Sequence, residues 1–266
     1  MSVLQRVVSA LREPRLGSTE VDTDDLIRVH REVLGEKPML REVFREIYAY
    51  CHDTDERLFS GDGLRIELGA GVSLFKKFYP DVVSTDIKRA PHLDRVLDAQ
   101  NMDLADRSVR AVYGINCFHH FPDPERFFAE LQRVLVPGGG CVLIEPFHGP
   151  LAGFFYRNMF KTEHFNKAQK EWTGSDMGVM TGANQALSHM VFVRDRARFE
   201  SRFPSLEIVR EDRLPSYVRY ILSGGLNFRS LVPDALAPAL KGIETLLKPA
   251  DKLLALHHAI VLRKRA

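Results

Sequence analysis

Between Arg65 and Ser73 the chain reads RIELGAGVS, with an acid, Glu67, two positions ahead of the turn Gly69-Ala70-Gly71. Glycines at such a turn let the backbone approach a ligand closely, and the helix start that follows offers unpaired N–H groups. A dinucleotide fingerprint would place its third glycine where this chain has Leu74, and Glu67 would repel a pyrophosphate. The acid suits a cationic ligand. Two more carboxylates follow in order. Asp86 comes about 20 residues after the turn, where an acid typically holds a ribose diol. Asp98, opening Asp98-Ala99-Gln100-Asn101, can accept from an exocyclic amine.

Downstream lies NCFHHF, Asn116 to Phe121, in which His119 and His120 are adjacent. An imidazole with an ordinary pKa near 6.5 suits proton transfer at neutral pH. His164, next to Glu163 and among Phe154, Phe155, Tyr156, Phe160 and Phe165, is a third candidate, and Glu145 is a carboxylate alternative. No set of histidines and acids has metal-ligand spacing, so no metal is expected.

These residues need elements to hold them. Short apolar runs alternate with helical segments from Leu64 onward: strands over Leu64–Leu68, Asp81–Asp86, Val96–Leu97, Val109–Ile115 and Cys141–Ile144. A helix over Asp123–Val134 carries Pro124 in its first turn and Phe127, Phe128, Leu131 and Val134 on one face, and Pro137-Gly138-Gly139-Gly140 is expected to break the chain before the fifth strand. Strands over Leu206–Val209 and Leu256–Arg263 follow a helix at Arg194–Phe203. This alternation predicts a Rossmann-like α/β fold with a mostly parallel seven-stranded sheet and helices on both faces. Glu67, Asp86 and Asp98 then fall at the C-terminal ends of successive strands, where open α/β sheets bind ligands.

Residues 1–60 read as a helical prefix, with Thr23 as a helix cap and Pro38 starting a second helix; residues 61–266 read as the main domain. Aromatic, aperiodic segments at 147–192 and 213–255 read as lid insertions, the second holding an amphipathic helix near 234–247. A net charge of +2 gives no global case for nucleic acid, and Arg263-Lys264-Arg265 reads as a solvated end. Cys51, Cys117 and Cys141 read as reduced core thiols. Without a secretory apolar stretch or a run of roughly 18 apolar residues, no integral membrane segment and a cytoplasmic location are expected.

With these motifs in place, residues 64–146 resemble the class I S-adenosylmethionine-dependent methyltransferases, particularly the small-molecule type-11 group. The resemblance implies S-adenosyl-L-methionine as cofactor. Glu67, Gly69, Ala70, Gly71 and Ser73 would surround its methionine moiety, Asp86 and Ile87 would meet the ribose, and Asp98, Ala99 and Gln100 the adenine. Asn116 would begin the segment after the fourth strand. Ser73 stands where that group usually has a third glycine, and its hydroxyl can donate to the methionine carboxylate. HREVLGEKPMLREVF, ANQALSHMVFVRD, RYILSGGL and SLVP resemble a bacterial subgroup associated with polysaccharide, glycolipid and secondary-metabolite pathways. The expected activity is O-methylation of a small-molecule or glycolipid acceptor, with His119, His120 or His164 as base. N- or C-methylation and a non-catalytic cofactor-binding subunit are the alternatives, and no oligomeric state is assigned.

Overall fold

Seven strands among the described residues lie in one sheet in the order β3-β2-β1-β4-β5-β7-β6. They are β1 (Leu64–Leu68), β2 (Val82–Asp86), β3 (Arg95–Val96), β4 (Val109–Ile115), β5 (Leu135–Pro146), β6 (Leu206–Arg213) and β7 (His257–Lys264). The computed structural model describes residues 3–16, 24–159, 163–174 and 182–265; the expected cap Thr23 and the aromatic Phe160 lie outside them. β1 to β5 pair in parallel, and β7 runs antiparallel to both β5 and β6. The order reverses between β1 and β4, and a crevice for a ligand opens outside their carboxyl ends.

The helices are α1 (Val3–Leu11), α2 (Asp24–Glu36), α3 (Pro38–Leu58), α4 (Phe75–Phe78), α5 (Pro124–Val134), α6 (Pro150–Asn158), α7 (Leu187–His189), α8 (Arg196–Arg202), α9 (Tyr217–Leu222), α10 (Ala237–Leu247) and α11 (Asp251–Leu254). α5 begins where the Asp123 side chain accepts from the Glu125 and Arg126 N–H groups, with Pro124 supplying a preset first turn. Its Phe127, Phe128 and Leu131 pack with Phe192, Phe199 and Leu262 under one sheet face. α3 covers the other face, burying Leu40, Val43, Ile47 and Tyr48 against Ala111, Tyr113 and Val142. The last turn of α3 is bolted to the sheet at Asp55, which is fully buried and accepts from Arg65 Nε at 2.7 Å, Arg110 Nε at 2.8 Å and Tyr113 Oη at 2.9 Å. The prefix helices therefore share a core with the sheet.

Most strand ends fall within a residue of the sequence expectation, β6 runs on to Arg213 instead of Val209, and two further differences are larger. β5 runs through Pro137-Gly138-Gly139-Gly140 instead of starting after it. Gly140 has no room for a side chain, since a Cβ there would sit 2.4 Å from the Leu262 carbonyl oxygen, so glycine allows the close strand packing it was expected to prevent. The helix expected at Arg194–Phe203 is α8, Arg196–Arg202, and it is preceded by an unexpected π-helical stretch, Met190–Arg194.

Two buried cations among the described residues tie the second insertion to the prefix: Arg219, which bonds Glu46 of α3, and Lys37. Lys37 Nζ donates to the carbonyls of Ser223 at 2.9 Å, Gly225 at 2.8 Å and Phe228 at 2.5 Å. Three donors meet three acceptors.

Candidate functional site

Gly69 and Gly71 turn the chain out of β1 at φ of 61° and 42°. These are left-handed conformations that residues with a Cβ adopt at a cost. A Cβ on Gly69 would lie 2.6 Å from the Cys117 Cβ, so the loops after β1 and β4 touch here and only glycine fits. The turn is anchored to the end of β2. Gly71 N–H donates to Asp86 Oδ2 at 2.9 Å, and Ala70 N–H to the Thr85 carbonyl at 2.9 Å. Asp86 Oδ1 accepts from Lys88 N–H at 3.0 Å, which fixes the carboxylate while each oxygen keeps acceptor capacity for a ligand.

Glu67 lies beneath this turn, 1% exposed, and its hydrogen bonds come from the Ser73 and Ser84 hydroxyls. No arginine, lysine or histidine among the described residues forms an ion pair with it. Burial lifts its carboxyl to about 8, against those two hydroxyls and with the Asp86 charge adding to the rise. A buried acid without a cation beside a cavity has the character of a binding group awaiting one.

The cavity holds about 400 Å³, and all eleven residues expected to hold the cofactor line it. They do not all offer their side chains freely. Ser73 Oγ accepts from Phe75 N–H at 3.0 Å and lies 3.3 Å from Tyr48 Oη, so the protein already engages this hydroxyl just ahead of α4. Gln100 Oε1 accepts from Asp123 N–H at 2.7 Å. Asn116, at a φ of 51°, presents a buried Oδ1 with no hydrogen-bond partner, while its Nδ2 lies 3.4 Å from His257 Nε2. An unanswered buried carbonyl oxygen, an unpaired buried acid and a glycine turn at one wall fit a ligand that brings N–H groups and positive charge.

The three candidate bases are placed very differently. His119 is 4% exposed and clamped between two acids: Nδ1 is 2.5 Å from Glu145 Oε2, and Nε2 is 3.1 Å from Glu163 Oε2. Burial alone would lower this imidazole, yet Glu145 and then Glu163 raise it to about 10. Glu145, fully buried, also accepts from the Cys117, Phe118 and His119 N–H groups and so organises the whole loop after β4. His120 lines the cavity with Nε2 3.9 Å from Glu163 Oε1. His164 does not reach it. Its residue is exposed and forms a bridge with Asn184, and since neighbouring positions in extended backbone face opposite ways, Glu163 is the one turned inward.

Sequence reasoning did not select Glu163, Gln185, Tyr156, Tyr220 or His257, all of which line the cavity. The Glu163-His164 and Asn184-Gln185 pairs were visible as polar pairs in an aromatic segment. Which member points inward depends on strand pairing that no local pattern carries. His257 sat inside a strand pattern; burial, aided by the His119 charge, lowers it to about 4.

Residues 69–143 match the family described as Methyltransferase domain. The fold is similar to geranyl diphosphate C-methyltransferase from Streptomyces coelicolor A3(2), solved with Mg2+, geranyl diphosphate and S-adenosyl-L-homocysteine. That likeness has a TM-score of 0.50 at 15% identity and covers 96% of this chain and 89% of that one. Phosphoethanolamine N-methyltransferase 2 from Haemonchus contortus, solved with S-adenosyl-L-methionine, aligns at 12% identity and a TM-score of 0.49, over 94% of this chain and 59% of that one. No curated protein matches the sequence. No helix among the described residues is long and apolar enough to cross a membrane. The matched segment spans the glycine turn, Asp86, Asp98 and the loop after β4, so this part of the chain is similar to a methyltransferase domain, on the fold shared with the C-methyltransferase.

Proposed function

We propose that the chain methylates a hydroxyl oxygen of a small or lipid-linked compound, such as a sugar or a secondary metabolite. The observation that carries this reading is the continuity of the cavity. The crevice lined by Glu67, Asp86 and Asp98 runs into a wall of His119, His120, Glu163 and Gln185. A polar wall of imidazoles and a carboxylate suits an acceptor that presents hydroxyl groups.

When bound, S-adenosylmethionine supplies a methyl group on a sulfonium, an electrophile that needs alignment more than activation. Glu67 would pair with the methionine ammonium, and the Gly69–Gly71 backbone would hold the methionine moiety. Asp86 would accept from the ribose hydroxyls and Asp98 from the adenine amine. The Asn116 side-chain oxygen would accept a further N–H. On the acceptor side, Glu163 and His120 hold the hydroxyl, and its proton leaves to that wall. Tyr156, Tyr220 and Gln185, drawn from the two insertions, cover the acceptor and exclude water.

The test is incubation with S-adenosylmethionine and panels of glycosides, phenols and lipid-linked sugars, read by mass spectrometry. A gain of one methylene on an oxygen supports the reading. Gain on nitrogen or carbon with the same acceptors overturns it.

A further inference from the structure

His119, His120 and Glu163 each offer one ligand atom, and these atoms lie within 4.8 Å of one another. We propose that these three residues form a binding site for a divalent first-row transition cation, with its open positions facing the acceptor half of the cavity. The occupant of those positions rests on the proposed hydroxyl acceptor; the metal site itself does not.

Three features of the geometry carry this. The first is spacing. Ligands at roughly 2.0–2.2 Å from an ion stand about 3.0–3.5 Å apart along a tetrahedral or octahedral edge. His119 Nε2 to Glu163 Oε2 is 3.1 Å, His120 Nε2 to Glu163 Oε1 is 3.9 Å, and all three ligand atoms lie within 4.8 Å of one another, so the side chains close on an ion with movements on the order of 1 Å. The second is orientation. Metal-bound imidazoles usually donate their other ring N–H to a carboxylate, which fixes the tautomer. His119 Nδ1 is held in this way by Glu145, itself pinned by the Cys117 and Phe118 N–H groups, so Nε2 is the nitrogen turned toward Glu163. The third is charge. Two carboxylates, Glu145 and Glu163, flank one buried imidazole, and a dication balances them as a single imidazolium proton does not.

Two imidazoles and one carboxylate on one side of an ion leave the opposite side open, a donor set that suits iron, manganese, cobalt or zinc better than magnesium. The ligands come from segments 44 residues apart, one after β4 and one in the first insertion, so no local spacing announces them. An ion here would hold the acceptor oxygen. The O–H proton passes to water at the cavity mouth as the carbon–oxygen bond forms, and the carbon–sulfur bond breaks with its electron pair going to sulfur, which leaves as a neutral thioether.

The experiment uses untagged, chelator-treated protein titrated with Co2+ by calorimetry and visible absorption. One equivalent should bind with a micromolar or tighter Kd and develop ligand-field bands, and Zn2+ should displace it. Glu163→Gln and His120→Ala should each weaken binding at least tenfold while S-adenosylhomocysteine affinity stays within about twofold, which shows that the fold is intact. The inference is overturned if Co2+ binds no tighter than millimolar, or if both variants bind it as the wild type does. Oxygen methylation that persists after chelation, with no metal bound, removes the metal and leaves the proposed function standing. Tight, variant-sensitive Co2+ binding without methylation of any hydroxyl does the reverse.

Discussion

Replacing Glu67 by glutamine keeps the shape of a buried side chain and removes its ionisation, and the two consequences have opposite signs. Folding lifts the carboxyl from its ordinary 4.5 to about 8, chiefly by burial. Between those values the native chain holds a proton that the unfolded chain has released, so stability falls as pH rises through the window. At about 1.4 kcal/mol per pH unit, the loss approaches a ceiling of about 5 kcal/mol by pH 8. Glu67→Gln escapes it. Urea unfolding of ligand-free protein at pH 5, 6.5 and 8 should show the stability difference moving steadily in the variant's favour. Binding should move the other way, because an amide cannot pair with the methionine ammonium. Loss of a charge-assisted hydrogen bond worth about 1.5–3 kcal/mol weakens S-adenosylhomocysteine about ten- to a hundredfold at pH 8. Parallel pH profiles for the two proteins would show that Glu67 does not lose a proton on unfolding, and undiminished affinity in the variant would show that its charge holds no ligand.

The remaining predictions concern the turn, the lid and the scaffold. Gly71→Val places a branched side chain at a φ of 42° facing Asp86, and Asp86→Ala removes the anchor of the turn; calorimetry should show S-adenosylhomocysteine binding abolished in the first and weakened at least tenfold in the second, with no binding of NAD to the wild type. Limited proteolysis within 147–192 should slow when S-adenosylhomocysteine is added, since Tyr156, Glu163 and Gln185 of that segment line the cavity; rates indifferent to ligand would count against a lid. Arg219, 2% exposed, bonds Glu244 at 2.7 Å and Glu46 at 2.6 Å. Arg219→Met strands a buried carboxylate and should cost about 3–5 kcal/mol in chemical denaturation, and a loss under 1 kcal/mol would contradict that account.

The cavity wall formed by Glu67, the glycine turn, Asp86 and Asp98 was legible as a cluster because its parts are local. A strand, a glycine turn and an acid at the next strand end are each written in a few consecutive residues, and the alternation of strand and helix places them on one edge. The acceptor half is not local. His119 could be singled out as a histidine in a loop, but the acids that clamp it, Glu145 and Glu163, stand 26 and 44 residues away. A single register step turns Glu163 into the cavity and the candidate His164 away from it. Pro137 to Gly140 misled for a related reason. A glycine that reads as part of a break in isolation, Gly140, is the residue that fits a strand packed beside Phe59 and Leu262.

The order of the sheet also sets a timetable. β6 has one partner, β7, and β7 lies between it and β5. During synthesis residues 206–213 therefore emerge with nothing to pair with until residues 257–264 follow, and Lys37 waits 186 residues for the carbonyl of Ser223. Contacts this distant are paid for in loop closure before they return stability, which slows folding and prolongs the exposure of apolar surface. Late emergence of one strand thus governs when the cavity acquires its second-insertion wall. A chain stalled before residue 257 carries the whole glycine turn and all three acids, and still has an open edge at β5 ready to pair with another chain.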